Sequence, residues 1–554
     1  MSAWVAKLDA IRAKLIRPRD GGIPFFRSQT FVSLVFFLFV IAAAWKVAGW
    51  ISAGETDMIV FAAMAFVLCG IGLIILKSWR TGFYLFVVWL LFEDLIRKYL
   101  GNNMAIYFAK DVLAGLTYIS LLLAIRRGET KTFRPPFLFF LSIFFWLALL
   151  QMFNPYSPSI LYGILGMKIF FYYIPLIFVG YALIRDDRDL RRFLIACMLL
   201  AAVIATLGII QAIVGPTFLN PATLAPEIRT LGSLEKTVPL TNQLFLLPCG
   251  VFVSSGRFSL YLLLVAILGF GSAGYFILSS LRGRKIIYFA IALIAVATVL
   301  SGSRSTFLYW LMSALALSAA CLWGANWQGG GHRRLGKAIR RTALFAAAGL
   351  AMFILFFPAA ANSRMQYYIQ TLSPSGSDYE LGNRSWNYPV QQLTKALSEP
   401  HWIVGNGTGT ASLGAQYVSE LTGKPQPDIG VEEGFGEMIV EMGILAPFLW
   451  ILWTASLLWA CWKVTRSLKG TRLFPIAVAI FWYAFILLYP MTYLGLDAFE
   501  NFVNNAFLWI LVGILFRLPE VSLSPLNAEI VAKNHRFGGQ VFQPRLDAAS
   551  PQSR

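Results

Sequence analysis

Long apolar runs alternate with short polar connections along most of this chain. A hydropathy window of about 19 residues, the length that crosses a bilayer's hydrocarbon core as a helix, places fourteen runs, with a range of 12–14. They lie near residues 31–50, 58–76, 81–96, 105–125, 135–153, 160–183, 192–214, 258–280, 286–301, 304–323, 342–361, 434–461, 473–492 and 501–517. The pattern predicts an all-α polytopic membrane protein with about 14 transmembrane helices.

Two of the predicted connections are too long to be simple turns. They predict an outer loop at about 215–257 and a large extracytoplasmic loop at 362–433, directly before the twelfth span. The predicted organisation is a cytoplasmic N-terminal segment at 1–30, a transmembrane bundle at 31–361, the large loop at 362–433, C-terminal transmembrane helices at 434–517 and a cytoplasmic, disordered tail at 518–554.

Composition supports this class. The chain is 58% hydrophobic and only 13% charged, whereas a soluble domain has about 25% charged residues, so a soluble globular protein is excluded. The net charge of +19 comes mostly from Lys and Arg in the N-terminal segment, in alternate connections and in the tail. That bias predicts a membrane protein with both termini cytoplasmic, whose basic residues contact anionic lipid rather than nucleic acid. Five scattered cysteines and three histidines predict no metal site and no disulfide framework.

Two arginines are predicted on the outer side, against the positive-inside trend. Arg304 follows Ser301-Gly-Ser and begins the tenth span, and Arg257 follows Ser254-Ser-Gly and begins the eighth. Free N–H groups and the helix dipole favour an anion at such an end, and a guanidinium matches phosphate oxygens. Together they predict a diphosphate cradle. The alternative is that each arginine caps a loop or extends to a lipid headgroup.

Acidic residues recur at the start of the twelfth span. Glu433, Glu437 and Glu441 are four residues apart and share one helix face, which therefore cannot face lipid. Glu441 lies deepest and needs a cationic or hydrogen-bonding partner, which favours a structural polar pair. The candidate cations are Lys168, Lys110 and Lys46. Glu432 and Glu433 lie at the mouth of the helix, where either could act as a general base.

The large loop offers weaker candidates. His401 is its one histidine and a possible general base. The Gly405–Gly409 run imitates part of a dinucleotide fingerprint but lacks a preceding strand, so a tight backbone turn that approaches substrate is the better interpretation. Arg384 and Trp386 supply a cation and an aromatic platform for a sugar chain, and an ordinary surface helix fits them equally well.

The order of these motifs resembles the bacterial O-antigen polymerase (Wzy) and O-antigen ligase family. The resemblance rests on five segments spread over much of the chain, none specific alone: Glu93–Lys98 with Ala109–Asp111, Gly250–Arg257, Ser301–Arg304, Gly382–Trp386 with Gly405–Gly407, and Glu432–Glu437 with Gly443. Family ligases carry a histidine at the start of the span that ends in Glu-x-Gly, and counting back from Gly443 puts Glu432 in that place. The chain is therefore more similar to a polymerase, with the ligase as runner-up.

The resemblance implies a reaction, a site and partners. Such proteins lie in the plasma (inner) membrane. They polymerise polyprenyl-diphosphate-linked oligosaccharide repeat units on its extracytoplasmic face, for O-antigen or exopolysaccharide, without a metal or other cofactor. Arg304 and Arg257 correspond to the family's paired arginines, Arg384 would support diphosphate binding, and Glu432 or Glu433 would take the acceptor's proton. Glu437, His401 and Lys110 are secondary candidates. Partners would be the lipid-linked glycan, membrane lipid, a flippase and a chain-length regulator.

Other classes are left open by the sequence alone. A secondary transporter or lipid flippase would also have many spans with buried charges, and the stretch holding Gly269, Gly271 and Gly274 is a candidate helix break. A membrane glycosyltransferase with an acidic motif in its first outer loop would have to rely on Glu55-Thr-Asp57. A structural scaffold gives no account of outer arginines.

Overall fold

The computed structural model describes residues 69–101, 103–221, 235–237, 244–279, 283–325, 330–373, 381–426, 430–431 and 434–523. The chain divides into two compact units, 1–77 and 78–554. In the first unit, the described residues 69–77 are helical. The second unit contains all the elements named below.

The second unit is almost entirely helical. Its helices are α1 Trp79–Leu100, α2 Met104–Arg126, α3 Leu138–Gln151, α4 Ile160–Phe171, α5 Leu176–Leu183, α6 Asp187–Val214, α7 Ser255–Leu278, α8 Arg284–Leu300, α9 Arg304–Trp323, α10 Gly331–Phe356, α11 Pro358–Leu372, α12 Tyr388–Ser398, α13 Ala415–Thr422, α14 Gly434–Met442, α15 Leu445–Ser467, α16 Phe474–Ile486, α17 Thr492–Leu494, α18 Asp497–Glu500 and α19 Phe502–Ser522. π-helical turns at Asn383–Asn387 and Leu487–Met491 precede α12 and α17. Strands β1 Glu235–Thr237 and β2 Leu244–Leu246 pair antiparallel.

Nine helices of the described part are long and apolar enough to cross a membrane. They are α2, the α4–α5 pair, α6, α7, α9, α10, α15, α16 with its π-helical continuation, and α19. The mostly helical fold and the presence of helices compatible with a membrane are therefore confirmed, while the count of about 14 spans stays a prediction. The predicted span at 31–50 and most of the one at 58–76 lie outside the described residues.

The centre of the bundle is formed by helices that are buried on nearly all sides. The 18-residue windows of α7 and α19 are 89% and 83% buried, whereas those of α9 and α10 are only 22% and 17% buried. Small residues allow the central helices to approach closely. A Cβ added at Gly513 of α19 would lie 2.1 Å from the Ile177 oxygen of α5, and one at Gly271 of α7 would lie 2.5 Å from Ala479 of α16. Such close packing stabilises association between helices where the hydrophobic effect does not, because lipid is as apolar as the helix surfaces.

Two predicted features of the helices are corrected. Gly269, Gly271 and Gly274 do not interrupt a helix, because α7 runs unbroken from Ser255 to Leu278. The predicted span at 434–461 is not one helix: it breaks at Gly443, whose φ of +82° is left-handed. A Cβ on Gly443 would lie 2.3 Å from the Ile403 oxygen. The break therefore exists because the large loop packs against it.

The glycine-rich run at 405–409 forms the tight turn that its sequence predicts. Gly405, Gly407 and Gly409 all have left-handed φ values, of +76°, +107° and +83°. A Cβ on Gly405 would lie 2.4 Å from the Glu441 oxygen, and one on Gly409 would lie 2.1 Å from the Tyr162 oxygen. The turn thus makes close contact with the protein's own backbone, joining α4 and α14 through positions that only glycine fits.

Candidate functional site

A cavity of about 710 Å³ lies where α7 and α9 begin, and it contains Arg304. Arg304 is the first residue of α9, and the Ser303 hydroxyl caps that helix by accepting from the Thr306 N–H. Ser255 and Gly256, the first residues of α7, line the same cavity. N–H groups in the first turn of a helix have no acceptor within that helix. The N-terminal ends of two helices therefore meet at one cavity, and the partial positive charge of each end favours an anion there.

Arg384 is brought into this cavity from the large loop. The π-helical turn Asn383–Asn387 carries it, together with Ser385, to the cavity wall. The guanidinium carbon of Arg304 lies 5.2 Å from the centre of the Tyr367 ring, and that of Arg384 lies 5.1 Å from the Tyr388 ring. These rings limit the movement of both cations. Six of the described lining residues are serines and none of the described ones is acidic, so this part of the wall offers hydrogen bonds and positive charge.

Arg364 packs behind the wall of this cavity. The sequence analysis did not identify it. It is 3% exposed, donates to the Leu246 oxygen at 2.8 Å, and lies over the Phe245 ring. Burial lowers its pKa to about 10. Its ring partner Phe245 packs on Tyr367, which lines the cavity. The sequence feature that could have indicated Arg364 is its position just after the predicted span 342–361, on the outer side, where arginine is unusual.

Arg257 is not in the Arg304 cavity, so the predicted cradle of these two side chains does not form. Arg257 lies on the other side of the α7 N-terminus, where its Nη1 donates to both Asp94 oxygens at 3.1 and 3.0 Å. Asp94 also accepts from the Val253 N–H and contacts Arg97. Arg257 thus lies in the first turn of α7, as predicted, but its side chain pairs with Asp94, a buried carboxylate of α1.

Lys110, a secondary candidate, belongs to the same buried network. Its Nζ lies 2.9 Å from Glu93 Oε2, and both side chains are fully buried. A neighbouring pair joins Lys168 and Asp111 at 2.7 Å. The network, here called the charged cluster, consists of Glu93, Asp94, Arg97, Lys98, Lys110, Asp111, Lys168 and Arg257. A second cavity of about 80 Å³ borders it, lined by Arg97, Lys110, Lys168, Arg257 and Glu500 among others.

Two of the three lysine partners predicted for Glu441, Lys110 and Lys168, are wrong. Lys110 and Lys168 pair with Glu93 and Asp111, and Lys46 lies outside the described residues. Glu441 Oε1 instead accepts from the N–H groups of Ala411 and Ser412 and from the Ser412 hydroxyl, at 2.8–2.9 Å. The structural role favoured for Glu441 agrees with this arrangement, because the bonds anchor the loop at 411–412 to α14.

Glu500 forms a carboxyl pair with Glu441 around this loop. Its Oε2 accepts from the Leu413 N–H at 2.6 Å. Glu441 Oε2 and Glu500 Oε1 are buried and have no hydrogen-bond donor among the described residues. Burial, reinforced by the Glu441 charge, raises the pKa of Glu500 from 4.5 to about 8. The sequence signal for Glu500 was the polar start of the last span, at Glu500 to Asn505.

We expect the stability of the protein to fall with rising pH because of Glu500. Its pKa is higher in the folded than in the unfolded chain, so its contribution is complete below pH 4.5 and is lost as pH rises to about 8. The loss is at most about 1.4 kcal/mol per pH unit. Glu500→Gln cannot ionise. From pH 5 to 8, the unfolding temperature of the detergent-solubilised wild type should therefore decrease relative to that of Glu500→Gln. Above pH 8, the difference between the two unfolding temperatures should stay constant. Parallel profiles over the whole range would contradict the assignment.

The other candidates do not join either cavity in the part that the structure describes. Glu432 and Glu433 lie outside the described residues, so the general-base role stays a prediction. Glu437 is buried on α14, one turn before Glu441. His401 stacks on Tyr156, with ring centres 3.8 Å apart. Among the described residues, no group of three or more His, Cys, Asp or Glu side chains is placed to hold a metal ion.

Comparison with known proteins identifies no relative. No protein-family model, curated protein or solved structure matches the chain.

Proposed function

We propose that the protein transfers glycan from a polyprenyl diphosphate to an acceptor sugar, and that it acts as a polymerase of lipid-linked repeat units. The observation that carries the proposal is the cavity that combines Arg304, Arg384 and the N-termini of α7 and α9. In such a transfer the sugar–phosphate bond breaks and negative charge develops on the leaving diphosphate. Fixed guanidinium groups and N–H dipoles stabilise that charge.

The size and lining of the cavity suit a substrate with a charged centre and polar ends. Its volume of about 710 Å³ is within the range of pockets for small molecules. The serines and Tyr309 offer hydroxyl groups to sugar oxygens, while Leu308 and Met312 form an apolar wall. The large loop supplies Arg384 and Ser385, so the acceptor would enter beneath it.

An apolar path for the lipid chain is available beside this cavity. The next face of α9 lines a third cavity, of about 290 Å³, together with α7 and α10. Its walls include Trp310, Leu317 and Ala343, and none of its lining residues in the described part of the chain is charged. The two peripheral helices α9 and α10 are mostly unburied within the protein. A polyprenyl chain that starts at the Arg304 cavity could follow this surface.

The proposed chemistry is a single displacement. The acceptor hydroxyl attacks the anomeric carbon, the bond from that carbon to the phosphate oxygen breaks, and the electron pair leaves on the diphosphate. Glu432 or Glu433 would accept the hydroxyl proton. One displacement inverts the anomeric centre, which provides a stereochemical check on the product.

Deletion of the gene, followed by complementation with the wild type, tests the proposal. Surface glycan is sized on a gel, and lipid-linked intermediates are measured by mass spectrometry. Polymerisation predicts loss of long glycan with a single repeat unit accumulating on polyprenyl diphosphate. Full-length glycan stranded on that lipid would instead establish the ligase, and unchanged glycan with altered solute transport would establish the transporter.

A further inference from the structure

One face of α12 in the large loop is apolar and exposed. Four of its side chains follow one another at intervals of three or four residues, so they lie in one line along the helix. Val390, Leu393 and Leu397 are 37–43% exposed, and Trp386, in the π-helical turn before α12, is 68% exposed. Single exposed apolar residues are common, but an aligned set indicates a contact surface. These four residues are here called the apolar stripe.

The other faces of α12 meet the protein or water. Pro389 and Ala396 are buried, and Ala396 belongs to a small apolar core that includes Val440 of α14. Gln391 and Ser398 are exposed and polar. At about 100° per residue, the apolar stripe lies between the buried face and the polar face. The helix is therefore amphipathic beyond what its packing on α14 requires.

The apolar stripe continues into the exposed apolar surface at the end of α3. After α12 the chain turns, and Trp402 packs on the same small core beneath α12. Ile403 and Val404 follow and are exposed, and Gln151 at the end of α3 donates to the Val404 oxygen at 2.7 Å. Leu150, in the same last turn of α3, is also exposed. Because α3 lies within the predicted span 135–153, this surface is expected to face lipid.

α12 also packs close to the outer end of a helix long enough to span the membrane. A Cβ added at Gly436 of α14 would lie 3.1 Å from the Gln392 oxygen of α12. α14 leads into α15, whose first turn contains the exposed residues Leu445 and Phe448. α15 ends in the basic connection 463–472, so its first turn lies on the predicted outer side. α12 is thus positioned near the predicted outer surface of the membrane.

The length and composition of α12 fit the interface of a bilayer. Its 11 residues extend about 16 Å, roughly half of the 30 Å hydrocarbon core, so it is too short to cross. The segment 383–398 contains Arg384 and Lys395 and no acidic residue. Basic and polar residues on one side, with Leu and Trp on the other, are typical of helices that lie in the plane of the interface.

A protein partner fits the apolar stripe less well than lipid does. A stable protein–protein interface buries about 800 Å² on each partner, and one line of four side chains, three of them more than half-buried, is too narrow to supply it. Contact with lipid requires no minimum area, because each apolar group that leaves water contributes. Trp386 does not line the Arg304 cavity, although its neighbours Arg384 and Ser385 do. It is therefore available for contact with lipid.

We infer that α12 is an interfacial helix whose apolar stripe is inserted into the outer leaflet of the membrane. Acyl chains contact Val390, Leu393 and Leu397, and Trp386 lies at the level of the lipid headgroups. The turn that carries Arg384 directly precedes α12, so the same contact would hold that turn at the membrane surface. The inference does not depend on the proposed function, because it concerns only the position of α12 relative to lipid.

Spin labels on the full chain test the inference, in nanodiscs of phosphatidylethanolamine and phosphatidylglycerol. Cys69, the exposed cysteine, is first replaced by Ser, and the four others are buried. Single labels are then attached through Val390→Cys, Leu393→Cys and Leu397→Cys on the apolar stripe, and through Gln391→Cys and Ser398→Cys on the polar face. Power saturation measures collisions of each label with oxygen, which concentrates in lipid, and with a water-soluble nickel chelate.

We expect high oxygen and low nickel accessibility at the three stripe positions, and the reverse at the two polar positions. The protein with Cys69→Ser and no added cysteine should give no label signal. Equal nickel accessibility on both faces would show that the stripe lies in water and would overturn the inference. Exclusion of both reagents from the stripe would also overturn it, because protein would then cover the stripe. Dipolar broadening between labels would identify that protein as a second copy.

A matched pair of substitutions tests the contribution of Trp386. Because Trp386 is largely exposed within the protein, Trp386→Ser removes mainly its contact with lipid. We expect trypsin to cleave after Lys395 about tenfold faster in this variant in nanodiscs, because the released state of α12 becomes more populated. Leu421→Ser removes an apolar side chain of α13 that is also largely exposed and lies outside the stripe, and should leave the rate unchanged. Equal rates in the two variants would contradict insertion of Trp386.

Discussion

Replacing Arg304 with Ala should reduce glycan transfer by at least about 100-fold, while the protein reaches the membrane in normal amount. The reason is the position of Arg304 at the N-terminus of α9, in a cavity that it shares with Arg384. Under the proposed function, its guanidinium stabilises the charge that develops on the leaving diphosphate. Removal of one such donor lowers a rate by about 10² to 10³.

The measurement is the ladder of surface glycan in the deletion strain, with protein level checked on a blot. Arg304→Lys keeps the charge but loses the planar fork, so we expect intermediate activity. Arg127→Ala is the control, because Arg127 is 56% exposed and pairs only weakly with Glu129 at 3.7 Å. A full-length ladder for Arg304→Ala at normal protein level would rule out the diphosphate site.

Replacing Lys110 with Met should destabilise the protein by about 3–5 kcal/mol, the largest expected effect on stability. Lys110 and Glu93 are both fully buried, and their charged atoms are 2.9 Å apart. Among the described residues, the Glu93 carboxylate without Lys110 keeps one cation within ion-pair distance, Arg97 at 3.9 Å. The expected result follows from leaving a charge buried without its closest partner.

The double variant Glu93→Met with Lys110→Met separates the value of the pair from the cost of an unpaired charge. Two apolar side chains of similar length should restore most of the loss, because removing both charges also removes their desolvation cost. Unfolding of the detergent-solubilised protein would be compared among the wild type, both single variants and the double variant. As a control, breaking the exposed Arg127–Glu129 pair should change stability by less than about 1 kcal/mol. Additive losses in the buried pair would contradict this interpretation.

The sequence alone predicted that most of the described chain is helical and that two helices begin near Arg257 and Arg304. Arg257 and Arg304 occur in the first turns of α7 and α9, as expected. This succeeded because the length of an apolar run and the serine before it are local properties, set by bilayer thickness and by the need to cap N–H groups. The Gly405–Gly409 turn was predictable for the same reason.

Side-chain partners were decided by the tertiary structure. The sequence analysis placed Arg257 and Arg304 in one site. Ser255 and Arg257 are about half a helical turn apart, so they line different cavities. Arg257 pairs with Asp94 instead. The sequence also offered lysines to Glu441, whereas backbone N–H groups of the large loop bind it. Hydropathy measures how long a helix is and how apolar, but carries no information about which neighbour each face meets. Long-range packing therefore determined that Arg257 is separated from Arg304 and Arg384, that Gly443 interrupts a span, and that four cations line one small cavity.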